Sequence, residues 1–469
     1  MSSSFGQKWM ISYWVLTAVA LAGPRAEAAT INVTGTAVAG DCYSPGGDPC
    51  TDFNGNDCTL QDALDVAECN GEGDTINIAA GTYDADAAGI FQYFAADTEN
   101  FPLELVGTGT GTVIDGMNND QCMELNTQLM AGPDDQANIS VSNITFRNGN
   151  YGGPGGGLAV NVTDADVSVQ NCSFLNNLAD EWGGGLYADA FGDSMMFFST
   201  NLFLGNTANF DDGGGLYAES GQGSITAVNN ILARNTSNDG NGGGMFLNAS
   251  VGNITVTNNT LFNNTATNGD AGGLGAQVDD SASIFNIYNN IVFGNTAGGN
   301  GDDISTCEQG ATVNLFNNDY TEYYSQALDG GTCGGSATLN QGSNIPDNPQ
   351  FVNSGADNFH LQATSSAIDK GDPAAPAMPA TDFDGNPRPA VPGTNPDMGA
   401  LEFQPIPTPP PSPTPLPTAT PTPSGFLEGS GSLSCSLQTG TGENPLYSIL
   451  AMGIGLAGVL ILLRRKAQE

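Results

Sequence analysis

The chain has 469 residues, 64 of them Gly, with 50 Asp and Glu against nine Lys and Arg, for a formal charge of −41. A surface this acidic repels phosphate backbones and excludes a nucleic-acid partner. Charged residues make up only 13%, unlike an ordinary α/β enzyme, and the length fits two or three domains or one elongated array.

In chain order, residues 1–28 read as an export signal. Lys8 gives a short basic start, Trp9 to Gly23 an apolar run, and Ala26-Glu27-Ala28 a small-x-small cleavage site ending at Ala28. Eight cysteines lie in the body, an even number that fits complete pairing in an oxidising compartment. Cys42, Cys50, Cys58 and Cys69 fall close together and are expected to staple an N-terminal cap (29–115), while Cys307 and Cys333 stand about one repeat apart.

Within the cap, Leu60, Leu64 and Ala67 form one helical stripe, with Thr59 as N-cap and Asp62 three residues on. Ile76 and Ile78 then alternate with polar residues as in a half-buried strand. Asp52, Asn54, Asn56 and Asp57 have a calcium-loop flavour, but the bidentate Glu is missing and the glycine is misplaced, so a polar turn is the simpler reading. The run CTLQDALDVAE followed by GDTINIAAGTY resembles the CSLREA segment of bacterial surface β-helix proteins. It departs from it at Gln61 and Asp62, where that segment has Arg-Glu. The resemblance implies a helix covering the open end of a coil stack.

Residues 116–325 repeat. Glycine runs begin at Gly155, Gly183, Gly213 and Gly242, with a degraded copy at Ala271, and a second marker recurs at Asn148, Asn177, Asn206, Asn235, Asn264 and Asn295. Two markers locked near 29 residues identify a repeat fold. Each unit holds short alternating strands such as ISVSNITF and GSITAVNNIL, and no helical stripe persists. Such a unit cannot bury a core alone, so the expected fold is all-β, a right-handed parallel β-helix with coils about 4.8 Å apart. Phe174, Phe203, Leu232, Leu261 and Val292 should stack as an interior column. The marker Asn should occupy a left-handed bend and bond its amide to the Asn above and below.

The carboxylates Asp180, Glu181, Asp211, Asp212, Asp239, Asp270, Asp302 and Asp303 precede the Gly runs or their equivalents, so stacking is expected to gather them into one acidic ridge. Two readings stay open: a solvated row, or Ca2+ held between loops by Asp180, Asp211, Asp212, Asp239, Asp270, Asp302 and Asp303. Many β-helix proteins cleave pectin, but the Gly-His-Gly and Arg-x-Lys of polygalacturonases are lacking. The single histidine is His360, and only Arg147 and Arg234 lie in the repeats. No catalytic residue is assigned.

Residues 326–403 leave the beat. DNPQFVNSGADNFHLQATSSAIDKGDP, TDFDGNPRP and NPDMGALEF resemble the terminal domain of the choice-of-anchor Q group of bacterial surface proteins. The resemblance makes His360 and Arg388 scaffold positions, and Arg388 is expected to pair with Asp382, Asp384 or Glu402. Residues 404–444 form a stalk: Pro405 to Pro423 carries ten prolines in 19 residues, followed by a Gly/Ser-rich stretch with Cys435. Residues 445–469 hold the uncharged run Pro445 to Leu463 and then Arg464-Arg465-Lys466, long enough to span a bilayer. This tail resembles the tripartite sorting signals of Gram-negative bacteria. That implies either processing or lipid attachment at Cys435 by a sorting protease, or a permanent membrane anchor.

The sequence therefore points to an exported, surface-displayed monomer for adhesion, polysaccharide or matrix contact, contact with other surface proteins, or envelope structure. A polysaccharide-active enzyme and a calcium-dependent binding module are the alternatives.

Overall fold

A computed structural model describes residues 29–33, 58–68, 70–85, 89–95, 101–127, 137–325 and 337–405. The expected cleavage at Ala28, the Asp52–Asp57 turn, Cys42, Cys50, Cys69 and Cys333, most of the stalk, Cys435 and the apolar tail lie outside the described residues. Among the described residues no helix is long and apolar enough to cross a membrane.

The repeats form an all-β parallel solenoid of about 8 turns. One coil shows the plan. Met196–Ser199 and Leu202–Leu204 are two legs of one sheet, Thr207–Ala208 belongs to a second, and Leu216–Ser220 to a third. Every leg pairs in parallel with its counterparts one coil away, as in Met196↔Ile225, Leu202↔Ile231, Thr207↔Thr236 and Leu216↔Met245. Period-2 alternation turns one side of each leg inward, so the core is a set of columns along the axis. The expected column is present: Phe174, Phe203, Leu232, Leu261 and Val292 are all fully buried. Phe146 extends it, with ring centroids 5.3 Å from Phe146 to Phe174 and 4.7 Å from Phe174 to Phe203.

The helix Leu60–Ala67 forms as read. Thr59 accepts from the Asp62 amide, and Leu60, Leu64 and Ala67 are buried. Gln61 and Glu68 bind the backbone of the strand Phe91–Phe94, which fixes the helix against the first coils.

Asparagine lines the two bends of the main sheet. Asn177, Asn206, Asn235, Asn264 and Asn295 are buried in one continuous ladder. In it Asn235 Oδ1 accepts from Asn206 N and Nδ2, while its own Nδ2 donates to Phe203 O and Asn264 Oδ1. The amide stacking was expected; the left-handed backbone falls one residue earlier, on Asn176, Gly205, Arg234, Asn263 and Gly294. Asn148 belongs to that earlier column, because Arg147 pairs with Leu175 and Gly149 therefore faces Asn177. The first coil step is one residue shorter than the Asn beat implied. A second buried ladder, Asn201, Asn230, Asn259, Asn290 and Asn318, lines the other bend.

The eight body cysteines do not pair completely. Cys122 and Cys172 are free and buried. Cys172 heads the second ladder, its amide donating to Asn201 Oδ1, and Cys122 lies over Asn177 at the head of the first. Cys58 at the helical cap and Cys307 in the last coils each take part in a separate disulfide, with partners outside the described residues.

The strand Thr338–Gly342 still pairs with Thr312–Phe316, after which the chain doubles back. Residues 345–405 lie along the outer side of the second leg of the main sheet. There Phe359, Phe383, Ala400 and Leu401 cover Leu202, Ile231 and Phe262. Four corner asparagines with positive φ clamp this strap: Asn229 donates to Thr381 O, Asn258 to Asp397 O, Asn289 to Asp372 O and Asn317 to Lys370 O.

Candidate functional site

The loop carboxylates do not form the single ridge that stacking implied. Asp212, Asn241, Asp270 and Asn300 make one alternating column: Asp212 Oδ1 accepts from the Asn241 amide, Asn241 Oδ1 from Asp270 N, and Asp270 Oδ1 from Asn300 N. Asp180 Oδ1 accepts from Asn209, whose own side chain bonds Asn238, and Asp239 accepts from Asn268 in a separate column. Asp211 meets the next coil through its carbonyl, which accepts from Ser237 Oγ. Asp302 and Asp303 are not in the acidic loop at all. They stand opposite Gly272 and Gly273 in the Gly-run register, because Leu274 pairs with Ile304. Asp302 accepts from Ala297 N, and buried Asp303 accepts from Asn295 and Thr321. Within that column the interleaved amides keep Asp212 and Asp270 about two coil spacings apart, where exposed repulsion falls to a few tenths of a kcal/mol. Among the described residues no group of three or more His, Cys, Asp or Glu side chains converges to hold a metal ion.

The outward face of the third sheet carries the better candidate. After each Gly run the strand alternates, so Leu186, Ala188 and Ala190 turn inward while Tyr187, Asp189 and Phe191 turn outward. Register then stacks Tyr187 on Tyr217 on Phe246, and Asp189 on Glu219 on Asn248. The rings are nearly parallel, with centroids 5.6 Å and 5.9 Å apart, and Trp182 tilts across Tyr187 and Tyr217 at 6.3 Å and 6.0 Å. Trp182 and Tyr187 are half-buried, whereas Tyr217 and Phe246 are buried. Both Glu219 oxygens accept hydrogen bonds, one from Tyr217 Oη at 2.8 Å and one from Asn248 Nδ2 at 3.1 Å. Burial and the neighbouring carboxylates push the Tyr187 and Tyr217 phenols well above their usual range, so both stay protonated donors. An aromatic stack beside a row of acid and amide oxygens can hold hydroxyl-rich ligands, by ring contact and by hydrogen bonds. The sequence carried this signal as Tyr-Ala-Asp, Tyr-Ala-Glu and Phe-Leu-Asn directly after three Gly runs.

A second set of charged groups belongs to the strap. Arg388 Nη1 pairs with Glu402 Oε1 at 3.1 Å, both side chains essentially inaccessible, which is one of the three expected partners. Its guanidinium also donates to the Asp397, Gly399 and Ala400 carbonyls and to Asn229 Oδ1. Desolvation outweighs Arg388 and raises Glu402 to about 7. Asp382 accepts three backbone amides, from Asp384, Asn386 and Glu402. His360 bonds Asp384 at 2.7 Å and Asn358 at 2.8 Å, a structural contact at the strap surface.

Residues 128–261 match the family model described as "Right handed beta helix region". No curated protein and no solved structure matches the chain.

Proposed function

We propose that this chain is a non-catalytic β-helix displayed on a bacterial surface, and that it contacts hydroxyl-rich polysaccharide through the half-buried Trp182–Tyr187 face, backed by Tyr217. The observation that carries the ligand class is the stacked aromatic column beside Asp189, Glu219 and Asn248. An acidic, oxygen-rich row favours neutral glycans over uronates, since a polyanion would meet like charge. The surface setting rests on the leader, the Pro-rich stalk and the Cys435 tail, together with the choice-of-anchor resemblance. Contact with other surface proteins, or a purely structural envelope role, would use the same display.

One observation favours the enzyme alternative. Asp189 and Glu219 stand directly opposite on adjacent coils, two carboxylates on one outward face, as a glycosidase pair requires. Against it, both Glu219 oxygens are already engaged as acceptors. Screening residues 30–404 against neutral and acidic polysaccharides separates the readings. Binding without turnover, lost in Trp182→Ala and Tyr187→Ala, supports contact. Released reducing ends that vanish in Asp189→Asn and Glu219→Gln make the chain an enzyme. Binding abolished by a chelator and restored by Ca2+ makes it a calcium-dependent module through the loop carboxylates.

A further inference from the structure

The coil that carries Tyr187 and Asp189 turns a corner that is apolar on a strongly acidic molecule. Phe191 ends the strand of the third sheet and Met195 and Phe197 open the first leg of the main sheet, with exposures of 66%, 62% and 36%. All three occupy outward positions: Phe191 in the alternation of Leu186–Phe191, and Met195 and Phe197 two residues apart on either side of buried Met196. They therefore wrap one ridge across the turn Gly192-Asp193-Ser194. The turn is well made. Asp164 Oδ1 accepts from Asp193 N, Asp166 Oδ1 from Met195 N, and Ser194 Oγ donates to Phe191 O. The side chains are thus presented by a fixed backbone. Equivalent positions on neighbouring coils are polar: Thr163 opposes Phe191, and Ser168 and Thr226 flank Phe197.

The rim decides the occupant. Asp164 and Asp166 border the ridge on the preceding coil and Asp193 lies in its turn, and the nine Lys and Arg of the chain stand against 50 Asp and Glu. A second copy brings the same acidic surface, and an anionic lipid headgroup or glycan is repelled likewise. A neutral glycan gains nothing from the charges. What fits is an apolar stripe flanked by cations, as on an amphipathic Lys- or Arg-rich peptide segment. We propose that the Phe191–Met195–Phe197 ridge is a docking surface for a cationic amphipathic peptide or protein segment. This holds whether or not the neighbouring face binds polysaccharide.

The test uses the full chain and fluorescence anisotropy with three labelled synthetic peptides of equal length: an amphipathic Lys/Leu helix, a Lys/Ser peptide and a neutral Ser/Leu peptide. The Lys/Leu peptide is expected to bind, and Phe191→Ser/Met195→Ser/Phe197→Ser to weaken it by about tenfold or more. Circular dichroism melting of the triple variant should match the parent, because the three side chains face solvent. Asp193→Asn should weaken binding more mildly and flatten its salt dependence. Equal binding of Lys/Leu and Lys/Ser peptides, or of parent and triple variant, reduces the effect to bulk charge and overturns the proposal, as does no binding. Sedimentation that shows ridge-dependent self-association overturns it too, by naming a second copy as the occupant.

Discussion

At the residue scale, the Asn ladders show how an amide serves as an internal strut. Asn235 uses both donors and accepts two bonds, each inside a fully dehydrated bend, so its full capacity is met by protein. Asn235→Ala strands the Asn206 amides and the Phe203 carbonyl and is expected to cost about 3 to 4 kcal/mol, read by denaturant unfolding. A loss under about 1 kcal/mol would mean that water enters the bend and replaces the amide. Asp319 is the opposite case. It is fully buried and neither oxygen completes a hydrogen bond. Burial, with the Asp347 and Asp303 charges adding, raises it from 3.8 to about 8. A raised acid holds its proton in the fold when the unfolded chain has lost it. Stability therefore falls as pH climbs from the unfolded value toward about 8 and levels above it. Glu68, Asp74 and Glu402, each raised to about 7, act in the same direction over a shorter window. Asp319→Asn should remove the last part of that decline, so that melting midpoints at about pH 7 and about pH 9 converge relative to the parent. Unchanged divergence would place the decline elsewhere.

At the element scale, the Gly runs divide into two jobs. The first glycine of each run has left-handed backbone, φ +65 at Gly183 and +74 at Gly213, and in the degraded copy Ala271 takes φ 61 without glycine's freedom. The second glycine is a matter of space: a Cβ on Gly214 would lie 2.4 Å from the Thr236 backbone of the next coil. Gly214→Ala should cost at least about 2 kcal/mol because backbone cannot yield, whereas Gly385→Ala, with open space around it, should lose only about 1 kcal/mol to strain. Thermal melts of the pair decide, and equal losses would reject the steric account. Much of this level was legible. The strand alternation, the Phe174–Phe203 column and the 29-residue beat all follow from periodicity in one coordinate. What periodicity could not supply is the offset between coils: a single residue moved Asn148 to the neighbouring column, and counting from the Gly run put Asp302 and Asp303 in the wrong one. Asn-Asn doublets also stand in the sequence, beginning at Asn229, Asn258, Asn289 and Asn317. Their division of labour, one amide inward to a ladder and one outward to the strap, needs the strap to be seen.

At the scale of the molecule, the solenoid and its strap are joined by two arginines of very different worth. Arg388 is buried with Glu402 and anchors to Asn229, whereas Arg234 reaches Asp357 and Ser354 O at the exposed surface. Arg388→Ala should destabilise by about 3 to 5 kcal/mol through the charge it orphans, and Arg234→Ala by less than about 1 kcal/mol. Similar unfolding midpoints for the two would contradict that ranking. The strap's course also has a mechanical result. The chain leaves the last coil at Ile345, yet Ala400 and Leu401, close to the strap's end, pack against Ile231 several coils earlier. Tension applied at Pro405 is therefore delivered to the middle of the stack, through the Arg388 knot and then the corner amides one after another. Thr338–Gly342, the last strand of the main sheet among the described residues, is left outside the load path. Under a pull the strap yields by peeling, in small steps, before any coil is asked to unwind.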